Sequence, residues 1–177
     1  MRKVVLSLAI SLDGYICDDH GGFEWISGHG DSNLDTSETD SFDEFLDTVD
    51  TVVMGSLAYE DCILTNLASF DEKQIIVATT RNLEGRKNVR FVKNDICNEI
   101  IELKKQEGKD IFIFGGAGLV ENFMQNDMID KYIIGIIPTI LGNGRKLFRG
   151  SHNEIKLHLE RFTVQDGIAM LTYIQRK

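Results

Sequence analysis

A wholly apolar run, Ile111-Phe112-Ile113-Phe114, breaks into Gly115-Gly116-Ala117-Gly118 and resumes at once as Leu119-Val120. Four consecutive apolar residues closed by turn formers describe a fully buried central strand. Glycines at its carboxy end let the backbone approach a ligand closely, and they leave the first-turn N–H groups of the next helix open to an anion. A bound phosphate is the functional reading of this stretch. A tight strand-to-helix turn without a ligand is the competing one.

The rest of the chain repeats the alternation. Val4 to Leu12 is strand-like and stops at Asp13-Gly14, and residues 18 to 40 form a long Gly/Asp/Ser/Thr loop containing Phe23, Trp25 and Ile26. Loops of that length inside compact domains are usually functional or disordered. Phe42, Phe45, Leu46 and Val49 recur at helical spacing, with Ser41 or Thr39 as cap. Thr51 to Met54 reads as a strand broken at Gly55, and Leu57, Ala58 and Cys62 as a helical piece. Gln74 to Ala78 and Val89 to Val92 are strands; a helix follows from Asp95 and is expected to end at Gly108. After the glycine turn, Leu119, Val120, Phe123 and Met124 give a helix, and Tyr132 to Ile137 a strand closed by Pro138. Ile155 to Val164 and Ile168 to Ile174 alternate around Asp166-Gly167, a hairpin dipeptide. This order predicts an α/β fold with a mainly parallel, mixed sheet covered on both faces and an antiparallel C-terminal hairpin. No linker or repeat divides residues 1–177, so a single domain is expected.

The net charge of −9 argues against general nucleic-acid or anionic-membrane binding. An acidic chain that holds phosphate must use local donors. No stretch approaches a membrane span and no signal-peptide pattern opens the chain, so a cytoplasmic protein is expected. Cys17, Cys62 and Cys97 are few and far apart, which suits reduced thiols, and the four histidines form no ligand pair, so no metal is expected.

In open α/β sheets ligands bind beyond the carboxy ends of the strands. Three such ends carry small or hydroxylated residues: Gly55-Ser56, Thr79-Thr80-Arg81 and Gly115-Gly116-Ala117-Gly118. Together they could cradle a dinucleotide, which spans several strands at about 4.8 Å each. A Rossmann fingerprint fails, because the first strand ends Ser-Leu-Asp-Gly and the 116–121 window closes on Glu121. A P-loop fails for want of Gly-Lys-Ser/Thr.

Five stretches follow one another along nearly the whole chain: Ser11-Leu12-Asp13-Gly14-Tyr15-Ile16, Val53-Met54-Gly55-Ser56 with Tyr59-Glu60, Val77-Ala78-Thr79-Thr80-Arg81, Phe114-Gly115-Gly116-Ala117-Gly118-Leu119, and Pro138-Thr139-Ile140-Leu141-Gly142-Asn143-Gly144 with Leu147-Phe148. In that order they resemble the dihydrofolate reductase superfamily, especially the reductase domain of bacterial riboflavin biosynthesis and its stand-alone relatives. The resemblance implies the three-layer α/β/α fold of that superfamily and an NADPH-dependent reductase of a small heterocyclic or sugar-phosphate substrate. 5-Amino-6-(5-phosphoribosylamino)uracil reduction is the nearest activity. Dihydrofolate reduction is the runner-up, and a nucleotide-binding module without turnover is the non-enzyme alternative.

By the same resemblance Ala9 and Ile16 line the nicotinamide site, and Gly55, Ser56 and Leu57 lie under the cofactor phosphates. Thr79, Thr80 and Arg81 flank the adenosine, with Arg81 the candidate for the 2′-phosphate; Gly115, Gly116, Ala117, Gly118 and Leu119 form the family's glycine turn, whose Gly-Gly peptide is expected cis. Ser56 stands where the family often has a basic residue, which leaves NADPH preference to Arg81. The family's spacing makes Asp40 the candidate catalytic acid, against a solvated helix-N-terminal carboxylate. Asp13 is a substrate hydrogen-bond acceptor or a turn former, and Trp25 a lid that stacks on a flat ring or a core residue. Gly142-Asn143-Gly144-Arg145-Lys146 is a basic loop that holds substrate phosphate or merely connects elements. Relatives in the riboflavin group commonly pair, which makes a homodimer through residues 132–141 an expectation.

Overall fold

The computed structural model describes the chain except residues 66, 84–86, 151 and 177; the side chains of 62–65, 67 and 68 are likewise outside the description, and Cys62 falls among them. Among the described residues, ten strands and four α-helices follow one another as β1 (Val4–Ser11), β2 (Tyr15–Cys17), α1 (Phe42–Asp47), β3 (Val49–Gly55), α2 (Ser56–Thr65), β4 (Gln74–Ala78), β5 (Val89–Val92), α3 (Ile96–Lys104), β6 (Asp110–Gly115), α4 (Ala117–Gln125), β7 (Lys131–Ile137), β8 (Arg145–Lys146), β9 (Leu157–Gln165) and β10 (Ile168–Gln175), with a short 3-10 helix at Leu67–Phe70. Eight of the strands form one sheet in the order β5-β4-β3-β6-β1-β7-β10-β9, while β2 and β8 pair separately. Every neighbour pair from β5 to β7 is parallel; β10 is antiparallel to both β7 and β9. The mixed sheet with an antiparallel C-terminal hairpin is therefore the architecture the alternation implied.

Strand periodicity divides the core. Ile111 and Ile113 of β6 join Val4 and Leu6 against Ile100 of α3 and Phe123 of α4. Phe112 points the other way, into Val52, Met54, Val77, Leu46 of α1 and Tyr59 of α2. Successive side chains on a strand alternate faces, so one apolar run feeds both cores. Phe112 meets Phe45 edge-on with ring centroids 5.0 Å apart and Phe114 at 5.9 Å, an aromatic wall that continues toward the carboxy ends of the strands.

The helix caps follow the side-chain chemistry. Ser41 accepts from the Glu44 N–H at the start of α1 and Asp95 from the Asn98 N–H at the start of α3. Helix α3 ends earlier than expected, with Lys105 as its C-cap; Gly108 lies beyond it, where its φ of +154° brings the backbone against Arg2 and Asp50. At the hairpin, Asp166 (φ 52°) and Gly167 (φ 75°) form the two-residue turn with both residues at positive φ.

One expectation is corrected. The Gly115–Gly116 peptide is trans, and no cis peptide occurs among the described residues. The reversal is taken up instead by glycine torsions, φ +132° at Gly115 and φ −6°, ψ 154° at Gly116. Within residues 132–141, Tyr132, Ile134 and Ile137 are buried, Ile133 and Ile136 are half-buried, and Ile140 is exposed.

Candidate active-site cleft

A cleft of about 1570 Å³ opens along the carboxy ends of the parallel strands. All three small-residue turns line it: Gly55, Ser56 and Leu57 after β3, Thr79 and Thr80 after β4, and Gly115 to Leu119 after β6. They converge because β4, β3 and β6 are adjacent and parallel, so their carboxy ends reach one rim. Ala9 and Ile16 line the same space.

The glycine turn is open by construction. A Cβ built at Gly115 or Gly116 meets nothing within 4 Å, so the peptide faces empty cleft. Helix α4 starts there with no side-chain cap, and the N–H groups of Ala117 and Gly118 precede the helix's own hydrogen-bond ladder. The Arg149 guanidinium reaches over this end, its Nη1 3.8 Å from a Cβ built at Gly118. Helix α2 begins at Ser56, directly after β3.

Beyond β6 the cleft turns onto the face of the sheet that carries Phe112. Ala9, Gly135 and Met170 sit side by side on β1, β7 and β10 and form its floor. A Cβ at Gly135 would lie 2.8 Å from Met170 Sδ, so glycine keeps this floor flat. Ser7, Ile137 and Ile168 extend the floor, Phe42, Phe112 and Phe114 wall one side, and Phe23 and Ile26 of the long loop close the top. Of the 18–40 loop, Gly21, Phe23 and Ile26 line the cleft.

The charged lining is lopsided. Lys93, Arg145, Lys146 and Arg149 line the cleft, and Asp61 is the one carboxylate doing so among the described residues. Lys93 follows β5, where its ammonium donates to Asn82 Oδ1. Arg145 and Lys146 form β8, which pairs with β2 and sets Lys146 Nζ 5.7 Å above the Tyr15 ring. The glycines of the 142–144 loop sharpen its entry, since Gly144 packs against the Cys17 carbonyl with no room for a Cβ.

Four of the candidate residues lie off the cleft lining. Arg81 is 2.8 Å from Glu60, and their hydrogen bond lowers the Glu60 carboxyl and raises the Arg81 guanidinium relative to their ordinary pKa values. Asp40 accepts from Arg161 Nη1 at 2.6 Å and from Thr163 Oγ1. Thr163 is the strand partner of Met170, which puts Asp40 one strand beyond the cleft floor. Asp13 accepts from Ser11 Oγ (2.6 Å), Leu141 N (3.1 Å) and Gly142 N (2.7 Å), bonds that hold its pKa at about 2 and tie the loop after Pro138 to the β1–β2 turn. Trp25 donates from Nε1 to the Gly22 carbonyl at 3.2 Å, between Phe23 and Ile26. Sequence reasoning passed over Lys93, Asn94, Arg149, Gly135 and Met170. Of these only Lys93-Asn94, directly after a strand, carried a local signal.

The fold is dihydrofolate reductase-like. The structure superposes on a putative riboflavin biosynthesis protein from Shewanella sp. PV-4 with a TM-score of 0.84 at 24% identity, each chain covered completely. It matches the diaminohydroxyphosphoribosylaminopyrimidine deaminase/5-amino-6-(5-phosphoribosylamino)uracil reductase of Thermotoga maritima at 0.70 and 17% identity, over 99% of this chain and 57% of that one. Dihydrofolate reductase from Enterococcus faecalis, complexed with NADP(H), matches at 0.66 and 14% identity over 99% of this chain and 97% of the other. Residues 58–168 match the RibD C-terminal domain. The uncharacterized protein YwjB of Bacillus subtilis (strain 168) is 37% identical over 99% of this chain and 98% of its own. The chain belongs to the RibD C-terminal domain family.

Proposed function

We propose that this protein is an NADPH-dependent reductase that transfers a hydride to a small heterocyclic or sugar-phosphate substrate, most like 5-amino-6-(5-phosphoribosylamino)uracil. The observation that carries the reading is the inverted charge of the cleft: four cations and one carboxylate among its described lining residues, in a chain of net charge −9. A concave site of one sign raises the local concentration of oppositely charged ligands. Membership of the RibD C-terminal domain family supports reduction as the chemistry.

The residues present fit the cofactor. Open space beside Gly115 and Gly116, two helix starts and the Arg149 guanidinium offer donors to a pyrophosphate. Thr79, Thr80, Lys93 and Asn94 would take the adenosine end, and Lys93 is the cation there for a 2′-phosphate. Ala9 and Ile16 would border the nicotinamide. When bound, NADPH supplies the hydride.

The protein's own share is binding, orientation and exclusion of water. The floor of Ala9, Gly135 and Met170 offers a flat apolar bed for a planar ring, and the phenylalanine wall limits solvent access along one side of it. Arg145 and Lys146 would anchor a substrate phosphate at the mouth. Asp13 and Asp40 are both held by hydrogen bonds off the lining, which favours protonation of the product from water or from the substrate's own groups. The same observation supports the second reading, a nucleotide-binding module without turnover.

The test follows absorbance at 340 nm with NADPH and 5-amino-6-(5-phosphoribosylamino)uracil, its dephosphorylated form, or dihydrofolate. Oxidation fastest with the phosphorylated pyrimidine is the expected result. NADPH binding with none of the three oxidising it selects the module, and no binding at millimolar NADPH defeats both readings.

A further inference from the structure

The long loop between β2 and α1 is fastened to the far edge of the sheet, and the fastening converges on one residue of the hairpin turn. His29 N donates to the Asp166 carbonyl at 3.1 Å, and Gly30 N donates to Asp166 Oδ1 at 2.5 Å. Asp166 N in turn donates to Asp35 Oδ1 at 2.7 Å. Next to it Thr36 and Val164 bond in both directions, Thr36 N to the Val164 carbonyl at 2.9 Å and Val164 N to Thr36 Oγ1 at 3.0 Å. The contact has no slack. A Cβ at Gly28 would collide with the Asp166 carboxylate and carbonyl, and one at Gly167 with the His29 ring.

The near end of the loop is pinned as well. Asp18 Oδ1 accepts from His20 N at 2.8 Å and from Gly22 N at 2.7 Å, while Asp18 N donates to the Gly22 carbonyl at 3.0 Å. Residues 23–27 span the two pins as a short arch. Phe23 and Ile26 of the arch line the cleft although about half of each is exposed, so little packing of their own holds them in place.

We propose that Asp166 is a positioning residue: through His29 and Gly30 it holds the 23–27 arch as the apolar wall over the Ala9–Ile16 end of the cleft. The consequence for ligand rests on the NADPH reading. The wall should matter to the nicotinamide half of the cofactor and not to its adenosine half, which lies beyond Gly115 at Thr79 and Lys93.

Asp166 has φ 52°, so a fair variant must tolerate that conformation. Asp166→Gly keeps the turn and the carbonyl that accepts from His29 N but removes the side-chain acceptor of Gly30 N; Asp166→Asn keeps the turn and a neutral acceptor. Trp25 in the arch is the only tryptophan, and its quenching by acrylamide reports arch exposure without any ligand. Binding of NADPH and of 2′,5′-ADP, which lacks the nicotinamide, is measured by calorimetry.

For Asp166→Gly the expected result is greater Trp25 quenching, NADPH affinity weakened about tenfold by the lost charge-assisted bond, and unchanged 2′,5′-ADP affinity. Asp166→Asn, which keeps a neutral acceptor, should lie between the wild type and Asp166→Gly in quenching and NADPH affinity, with 2′,5′-ADP affinity unchanged. Gly28→Ala reaches the same latch from the loop side and should reproduce Asp166→Gly, which covers the case of a poorly folding turn variant. Wild-type quenching and NADPH affinity in both Asp166→Gly and Gly28→Ala overturn the proposal, as does an equal loss of both ligands. If the wild type binds neither probe, the nucleotide reading falls, and Trp25 quenching alone then decides whether Asp166 holds the arch.

Discussion

Lys93→Ala should abolish most of the preference for NADPH over NADH. Lys93 is exposed at the end of β5, next to Thr79 and Thr80 on the cleft rim, and its partner Asn82 is uncharged, so its full charge remains available. A unit charge about 4 Å from another gains about 1 kcal/mol in bulk water and about 4 kcal/mol at the effective dielectric of a protein surface. An exposed ammonium belongs near the lower bound, so a loss of about 1.5 kcal/mol is expected, or about tenfold in NADPH affinity. NADH, without the 2′-phosphate, should lose less than about twofold. Titrations of both nucleotides at low and high salt measure this, and the NADPH deficit should shrink as the screening length falls from about 10 Å at 0.1 M to about 3 Å at 1 M. Arg81→Ala is the internal control, because Glu60 already engages that guanidinium at 2.8 Å. Equal losses for NADPH and NADH in Lys93→Ala would refute the assignment. So would a preference that follows Arg81 and ignores Lys93.

Two titrations probe the groups that hold the fold around the cleft. The folded-state pKa of Asp13, about 2, lies below its ordinary value of 3.8, so its contribution to stability is complete above the ordinary value and disappears as pH falls toward 2. Asp13→Asn should lower Tm at pH 7, with a deficit that narrows between pH 4 and 2; a constant deficit would show that the carboxylate charge is not what holds residues 141 and 142. Burial, helped by Asp127 and Asp130, pushes the Tyr132 phenol up to about 12, so folding loses stability as pH climbs from 10 toward 12. Tyr132→Phe should retain more stability over that range, and an unchanged alkaline limb in thermal melts would count against this account.

The legible parts of this protein are those set by period and by short-range chemistry. Gln74–Ala78 and Val89–Val92 have the bounds their sequence implies, and Asp166-Gly167 makes the expected turn. The glycine turn faces open cleft because a strand end followed by a helix start allows little else. Strands β2 and β8 escaped notice because residues 15–17 and 145–146 are too short for any period to register. Arg2 was equally hidden: it is buried and donates to the Lys109 carbonyl at 2.5 Å and to Thr51 Oγ1 at 2.8 Å, partners 107 and 49 residues away.

Charges show the same divide. Arg81, Asp13 and Asp40 were candidates by residue type and local position, and each is engaged by a partner that local position does not reveal. Asp40 meets Arg161 and Thr163 only because residues 28–40 fold back along β9.

By itself the sequence determined the order of the longer elements, the mixed sheet and the three cleft-lining turns, since those depend on residues within one or two turns of chain. Tertiary structure alone decided which cations face the cleft, which carboxylates are withdrawn from it, and that Asp166 pins the arch over its open end. Those outcomes depend on long-range pairing, where one hydrogen bond between distant residues redirects a side chain whose local preferences permit either course.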